Sequence, residues 1–198
     1  MRMRLKAVLR WLIATALFAV VMMPLARVFM LPKEMLIVHA MPDFADSGPV
    51  MSRLARLRIS LWRECPVGLH APNSVVGAAI ANYDGSSARQ RQVIRDLVAT
   101  LIDNGCSPNQ YGEDGLTPLM GAVLEGNPEL VSMLLSLGAD PLLRVKASNP
   151  GVPYFREQRK AALGMNVLEF AQWLRPTGVD RQEKMAAIVK QLAPHIQQ

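Results

Sequence analysis

Apolar residues recur with a helical period through the second half of the chain. Between residues 93 and 102 they are spaced one, three and four positions apart, which places them on one face of an α-helix: Val93, Ile94, Leu97, Val98, Leu101 and Ile102. A second set follows at the same spacing: Leu130, Val131, Leu134 and Leu135. The pattern predicts two amphipathic helices, each burying one face.

The two apolar sets are related by a fixed offset. Each of five positions returns 33 residues later, as Val98, Leu101, Ile102, Gly105 and Pro108 return in Val131, Leu134, Leu135, Gly138 and Pro141. Self-similarity at one period indicates stacked repeats that share a continuous core. The sequence therefore predicts a short solenoid.

Residues 114–141 resemble one complete ankyrin repeat. The resemblance is carried by these residues: Thr117-Pro118-Leu119, Ala122, Gly126, Leu134-Leu135 and Gly138-Ala139-Asp140. It implies an all-α fold, a solenoid of about three helix-turn-helix repeats. It also implies a module that binds proteins, because ankyrin repeats bind partners far more often than they catalyse reactions.

The central repeat defines a register for both helices. Thr117 is expected to cap the first helix, which runs to about Leu124 with Pro118 in its first turn, where a missing N–H costs nothing. The second helix is expected over residues 129–136, burying its apolar positions, Leu135 included. Gly138 should then end it in the left-handed conformation.

The same register extends in both directions. Ser74 to Ala79 resembles a helix start, 43 residues before Thr117, and Asn166 to Ala171 resembles another, 49 residues after it. The last repeat should have a second helix over Met185 to Leu192, with Ala193-Pro194-His195 in place of the closing turn. The ankyrin-repeat domain is expected over residues 73–198, with repeats at about 73–111, 112–144 and 164–198 and an insertion at 145–163.

The first 32 residues are predicted to be a signal-anchor transmembrane helix. Sixteen uncharged residues, WLIATALFAVVMMPLA, separate Arg10 from Arg27, and a bilayer core needs roughly 20 helical residues. A cleaved signal peptide ending near Val38-His39-Ala40 is the main alternative, and a buried soluble helix is a second. The four basic residues before the apolar run place the N-terminus in the cytoplasm and the rest in the periplasm of a bacterium.

Two stretches lie between this segment and the repeats. Residues 33–48 are expected to be a linker, and residues 49–72 a capping helix and turn. The pattern from Ser47 to Glu64 fits either a helix or a strand, with Pro49 favouring the helix. Its arginines could approach anionic lipid headgroups or could simply form a solvated face.

Charge argues against nucleic acid as a partner. The formal charge is +6, but residues 1–33 hold six basic residues and no acid, while the remaining residues hold 16 of each sign. The excess follows membrane topology, so nucleic-acid binding loses its main support.

The two cysteines, Cys65 and Cys106, allow two interpretations. In an oxidising compartment they could form a disulfide that closes a loop of about 40 residues and contributes around 3 to 4 kcal/mol. They could equally be two separate small apolar residues.

The ankyrin resemblance also implies a binding surface. Ankyrin proteins contact partners through the loop tips and the exposed side of the first helices, the concave face. Transferred by position, this surface comprises Glu113, Asp114, Leu116, Leu124, Glu125, Arg144 and Trp173, with Met165 and Leu174. Leu116, Leu124 and Trp173 are expected to face solvent, unless the insertion covers them. The insertion adds Tyr154, Phe155 and Arg156, residue types common at hot spots.

The predicted function is a non-enzymatic, membrane-anchored module that holds a protein partner in the periplasm. An immunity protein against a periplasm-acting toxin, such as a type VI secretion effector, or a regulator or chaperone of a periplasmic enzyme fits the same features. No nucleophile-base pair, metal-spaced cluster or phosphate-binding glycine loop occurs in the sequence, so neither catalysis nor a cofactor, a metal or a small-molecule substrate is expected.

Overall fold

The regular structure of the described residues consists of helices. The computed structural model describes residues 26–41, 48–65, 74–81, 83, 86–148 and 161–196, with single positions between 11 and 23. The helices are α1 (Lys33–Ala40), α2 (Gly48–Ser60), α3 (Val75–Ile80), α4 (Ala88–Asp103), α5 (Pro118–Glu125), α6 (Pro128–Ser136), α7 (Val167–Trp173) and α8 (Val179–Ile196). Helical backbone also occurs at 26–30.

The chain divides into two units, residues 1–61 and residues 62–198. The first contains α1 and α2, and the second contains α3 to α8. The predicted capping helix, α2, therefore belongs with the N-terminal segment, and its buried face explains why. That face packs on α1 within the first unit.

The first unit corrects the prediction of a linker over residues 33–48. Residues 33–40 are helical, and Leu36, Ile37 and Ala40 are fully buried. They pack with α2, whose buried positions include Ala55 and Ile59. The ambiguous arginine-containing stretch is thus a helix, because a face repeating every three or four residues finds a helical partner to cover it.

None of the helices in the described part of the chain is long and apolar enough to cross a bilayer. Residues 1–10 and several positions between 12 and 25 lie outside the described residues. The predicted anchor therefore stays a prediction.

The second unit is a stack of three helix pairs. Each first helix packs on its own second helix, so α3 pairs with α4, α5 with α6 and α7 with α8. The first helices also pack on one another in the order α3, α5, α7, and α8 packs on α6. This arrangement is the one that the repeat pattern predicts.

Side-chain caps define where the first helices begin. Ser74 accepts a hydrogen bond from Gly77 N (3.1 Å), Thr117 from Met120 N (3.4 Å) and Asn166 from Glu169 N (2.9 Å). Each cap satisfies an amide that the helix leaves without a carbonyl partner. The three starts expected from the sequence, at residues 74, 117 and 166, are those of the structure.

The 33-residue offset is visible in the hydrogen bonds that end α4 and α6. Cys106 N donates to Leu101 O, and Ala139 N donates to Leu134 O, both at 2.9 Å. The glycines that precede these amides, Gly105 and Gly138, have φ values of 85° and 87°. Only glycine adopts this conformation at little cost, which explains its recurrence.

The seam between the helices buries most of the predicted positions. Leu130, Val131 and Leu134 of α6 are buried, as are Ile94, Leu97, Val98 and Leu101 of α4. Leu135 is half-buried, contrary to the prediction. It lies one position beyond the centre of the apolar stripe, so part of its side chain reaches the surface.

The third repeat departs from the sequence prediction at its end. Helix α8 is longer than the helix predicted over Met185 to Leu192: it begins after Gly178 and continues to Ile196 with Pro194 inside it. Met185, Ile188 and Leu192 are its buried residues.

Cys65 and Cys106 form a disulfide, with 4.7 Å between their Cα atoms. Of the two interpretations that the sequence left open, the bonded one holds in the structure. The bond ties residues that precede the first repeat to the turn that ends α4. It closes a loop of 41 residues within the second unit.

Candidate partner-binding surface

The loop before α5 forms a tight tip. Gly115 N donates to Gly112 O (3.1 Å), Gly112 N donates to Leu116 O (2.9 Å), and the Asp114 carboxylate accepts from Leu116 N (3.0 Å). The chain reverses between Gly112 and Leu116, which sets Glu113 and Asp114 at the turn, both half-buried. Two predicted site residues therefore lie together at this tip.

Leu116 is not part of the exposed surface. Its side chain is only 4% exposed, whereas the sequence prediction placed it in solvent. Its amide and carbonyl are both used to close the tip, and the side chain turns inward at the entrance to α5. Leu116 is a core residue, and this prediction was wrong.

The next loop is closed by an antiparallel bridge between Arg144 and Asn166. Val145 N donates to Met165 O (2.9 Å), and Gly164 N donates to Val145 O (3.0 Å). The ends of the predicted insertion are therefore tied together as the neck of a loop. Residues 149–160 lie outside the described residues, and with them the predicted Tyr154, Phe155 and Arg156.

The two loops are joined through a glycine. Lys146 N donates to Gly115 O (3.0 Å), and a Cβ on residue 115 would come within 2.1 Å of Lys146 O. Gly115 also has a φ of 78°. Both the backbone conformation and the close approach of the neighbouring loop therefore require glycine at this position.

Asn109 and Tyr111 also hold the loops in register, and sequence reasoning missed both. The Asn109 side chain accepts from Asp140 N (2.7 Å) and donates to Gly138 O (3.2 Å). The Tyr111 hydroxyl donates to Arg144 O (2.8 Å), and Lys146 Nζ lies 3.8 Å from the ring centroid of Tyr111. Burial raises the pKa of Tyr111, so its hydroxyl stays protonated and donates at neutral pH.

Arg144 lies at the surface where the second loop meets α7. Its guanidinium donates to Gly164 O (2.6 Å) and lies 3.6 Å from the Glu169 carboxylate. The Arg144 side chain is 63% exposed, so it is available to a partner. Trp173 follows Glu169 by one helical turn, but it is half-buried and stacks on the buried ring of Phe170 at 6.0 Å.

Leu124 and Glu125 lie at the opposite end of α5 from Asp114. A helix of eight residues spans about 12 Å, which separates the two predicted groups by that distance. Leu124 is half-buried, and its carbonyl accepts from Arg181 of α8 at 3.2 Å. Glu125 is exposed.

The predicted site residues thus fall into two groups. Glu113, Asp114 and Arg144 lie on the loops, where the structure adds Tyr111 and Lys146; we call these five residues the loop-end surface. Leu124 and Glu125 form a second group at the far end of α5. Within the described ranges, no three His, Cys, Asp or Glu side chains are grouped to hold a metal ion.

Residues 114–146 match the ankyrin repeat family. This segment is therefore similar to an ankyrin repeat. The match begins at the tip residue Asp114 and ends at Lys146, the residue that donates to Gly115 O. It covers the central repeat, in which the sequence resemblance was also most complete.

Two known proteins are similar to part of the chain. A protein described as an ankyrin repeat protein from Rickettsia felis is 44% identical over 46 residues, which is 23% of this chain and 17% of that protein. The 2-5A-dependent ribonuclease of Homo sapiens is 43% identical over 60 residues, 30% of this chain and 8% of that protein. The chain spans less than a fifth of the length of either relative.

Proposed function

We propose that the chain is a non-enzymatic protein-binding module whose partner contacts the loop-end surface. The central ankyrin repeat carries this proposal, since ankyrin repeats generally serve as interaction modules. Its loops are rigidly tied to each other through Gly115, Asn109 and Tyr111. A preorganised surface loses little conformational entropy on binding.

The charges of the loop-end surface indicate the kind of partner. Asp114 and Glu113 occupy one loop, and Arg144 and Lys146 occupy the next. Alternating signs on neighbouring loops suit a protein with charges of both signs, because electrostatic complementarity fixes the orientation of a complex. Within this surface, Arg144 combines high exposure with a fixed position beside Glu169.

The module is proposed to lie in the periplasm, anchored in the inner membrane by the N-terminal segment. Two features support this location. The apolar run between Arg10 and Arg27 is preceded by four basic residues and by no acidic one. The disulfide between Cys65 and Cys106 suits an oxidising compartment, since such bonds are rare in the cytosol.

Affinity capture of the full-length protein, solubilised in detergent from its native cell, tests the binding function. One stoichiometric partner is expected. Arg144→Glu should then weaken its binding by about 2 kcal/mol or more, a loss typical of interface hot spots. Lys190→Glu, the same charge reversal at an exposed site on α8, should leave binding unchanged. Equal affinity of both variants would show that the loop-end surface is not the site.

The far end of α5 is tested separately with Leu124→Arg. If the partner spans the concave face, this variant should also weaken binding by about 2 kcal/mol. Trp173→Ala is a poorer test than the sequence suggested, because loss of its stacking on Phe170 lowers stability as well. Thermal unfolding of each variant separates the two effects.

Alkaline phosphatase fused after Gln198 tests the location. The enzyme should be active and remain in the membrane fraction with the N-terminus intact. Release of a protein that begins at Met41 would indicate a cleaved signal peptide, and activity of a cytoplasmic reporter would reverse the orientation. Identification of the captured partner as a toxin would favour an immunity protein, and as a resident enzyme, a regulator or chaperone.

A further inference from the structure

Helix α2 has two apolar faces, of which one is covered. Ser52, Ala55 and Ile59 are buried on the side that packs with α1. A second apolar set begins two residues before Ser52 and repeats at spacings of four, three and four: Val50, Leu54, Leu57 and Leu61. At 3.6 residues per turn the two sets lie on opposite sides of the helix.

The second apolar face is open to solvent. Val50, Leu57 and Leu61 are 59%, 58% and 68% exposed, and Leu54 is half-buried. A row of four large apolar side chains over three helical turns is unusual on the surface of a soluble protein. The packing with α1 leaves this row uncovered among the described residues.

The arginines of α2 indicate what that surface is. Arg53 and Arg58 lie on either side of the apolar row, and residues 48–61 contain no acidic residue. Arg56 donates to Ala40 O (2.9 Å), and Arg58 donates to Val28 O and to Leu31 O. The two carbonyls that Arg58 contacts carry no net charge, so these bonds do not neutralise its guanidinium.

In the first unit, the positive charge of residues 34–61 is confined to α2. Its three arginines are the only Lys or Arg of that range, and the three acids of the range, Glu34, Asp43 and Asp46, all precede α2. Phe29 and Met30 of this unit are 64% and 85% exposed, and the Arg58 guanidinium lies 5.8 Å from the centroid of the Phe29 ring.

We infer that α2 lies flat on an anionic lipid surface and inserts Val50, Leu54, Leu57 and Leu61 between the headgroups. An apolar row flanked by arginines is the arrangement that interfacial helices use. A second copy of α2 fits less well, because pairing would bring arginines together with no acid between them. This inference rests on the membrane anchoring in the proposed function and is independent of the partner-binding site.

The test uses the full-length chain with one added cysteine. The natural cysteines, Cys65 and Cys106, are bonded to each other, so Leu57→Cys can be labelled selectively with an environment-sensitive fluorophore. Ser60→Cys, an exposed position about 60° from Leu57 and about 90° from the centre of the apolar row, is the matched control. Val50→Cys provides a second position in the apolar row. Each protein is reconstituted into vesicles of phosphatidylcholine and phosphatidylglycerol.

Emission at positions 57 and 50 should shift to the blue, and lipids that carry nitroxides should quench it severalfold more than emission at position 60. Vesicles of phosphatidylcholine alone should weaken the effect, since each arginine near an anionic surface strengthens attachment about fivefold. Equal quenching at all three positions would overturn the inference. The inference would also be overturned if emission at position 57 shifted to the blue only at high protein density or with an added acidic protein and was not quenched by nitroxide lipid.

An alkaline carbonate wash separates this result from the anchoring itself. A chain that is removed by the wash lacks the proposed anchor, whatever the label reports. A chain that stays in the vesicles with an unquenched label at position 57 has the anchor but not the interfacial helix.

Discussion

The central and the third repeats begin alike and end differently. Both start with a side-chain cap, Thr117 or Asn166, followed by a short first helix. The central repeat then closes its second helix at Gly138, with a φ of 87°, whereas α8 of the third repeat continues for 18 residues. The start of each repeat is set by local sequence, whereas the two repeats differ in how far the second helix continues.

The neighbours of each repeat explain the difference. Helix α5 packs on both α3 and α7, so the central repeat is covered on two sides. Helix α8 packs on α6 and α7, while the other side of its first turns is exposed. If this comparison is right, removal of a side-chain cap should lower the free energy of unfolding equally in both repeats. Truncation of a packed side chain should lower it more in the central repeat.

The largest expected effect is that of Leu134→Ala, compared with Leu192→Ala. Both side chains are fully buried. Leu134→Ala should lower the free energy of unfolding by about 2 to 5 kcal/mol and Leu192→Ala by about 2, because the open end can relax into the cavity. Chemical denaturation measures both, with exposed Ser132→Ala as the control. Equal losses would show that α8 is as constrained as α6.

A second comparison uses two glycines with positive φ. Gly115→Ala should cost roughly 2 to 5 kcal/mol, since a Cβ meets Lys146 O and the conformation is strained. Gly178→Ala, with a φ of 92° and no atom within 4 Å of the added Cβ, should cost about 1 to 2 kcal/mol. Thermal unfolding distinguishes them. A tolerated Gly115→Ala would contradict the close contact between the two loops.

The caps provide a smaller, local comparison. Thr117→Ala and Asn166→Ala should each cost about 1 kcal/mol, because each leaves one helix amide without its acceptor. Thr117→Ser and Asn166→Ser retain an oxygen and should recover most of the loss. A much larger cost at residue 117 would indicate that its burial, at 3% exposure, contributes more than the cap.

The smallest effect concerns pH and the junction of the first two repeats. Tyr83 is buried, and its hydroxyl accepts from Arg95, which pairs with Glu129 of the central repeat. Burial and the neighbouring Glu129 raise the pKa of Tyr83 above 10. Its protonated form is thus favoured by folding, and this stability is present below pH 10 and lost as pH rises through the folded pKa.

Tyr83→Phe should therefore make the free energy of unfolding less dependent on pH above 10. Denaturation at a series of alkaline pH values measures the slope. Some dependence should remain, because burial also raises the pKa of Tyr111. An unchanged slope in the variant would show that Tyr83 titrates alike in the folded and unfolded chains.

Sequence reasoning predicted the repeats better than the surface. Helix starts at residues 74, 117 and 166 depend on side chains within three residues of the cap, so they can be read locally. The loop-end surface could not be read in this way. Tyr111 and Lys146 are 35 residues apart in sequence and meet only when adjacent repeats stack.

Leu116 shows the limit most directly. An apolar residue next to a loop tip could face either side, and the spacing of apolar residues does not decide between the two. The hydrogen bonds of Gly112 and Asp114 turn it inward. In the same way, residues 33–40 seemed a linker because their apolar positions have no partner nearby in sequence, and α2 supplies one.

The sequence by itself determined the repeat length, the caps and the glycine turns, because each depends on interactions within about one helical turn. It also located the charge in the first unit. Only the tertiary structure decided which apolar residues are core, whether Cys65 and Cys106 are bonded, and which loops form one surface. These outcomes depend on contacts between residues tens of positions apart, and those contacts form only when the repeats pack.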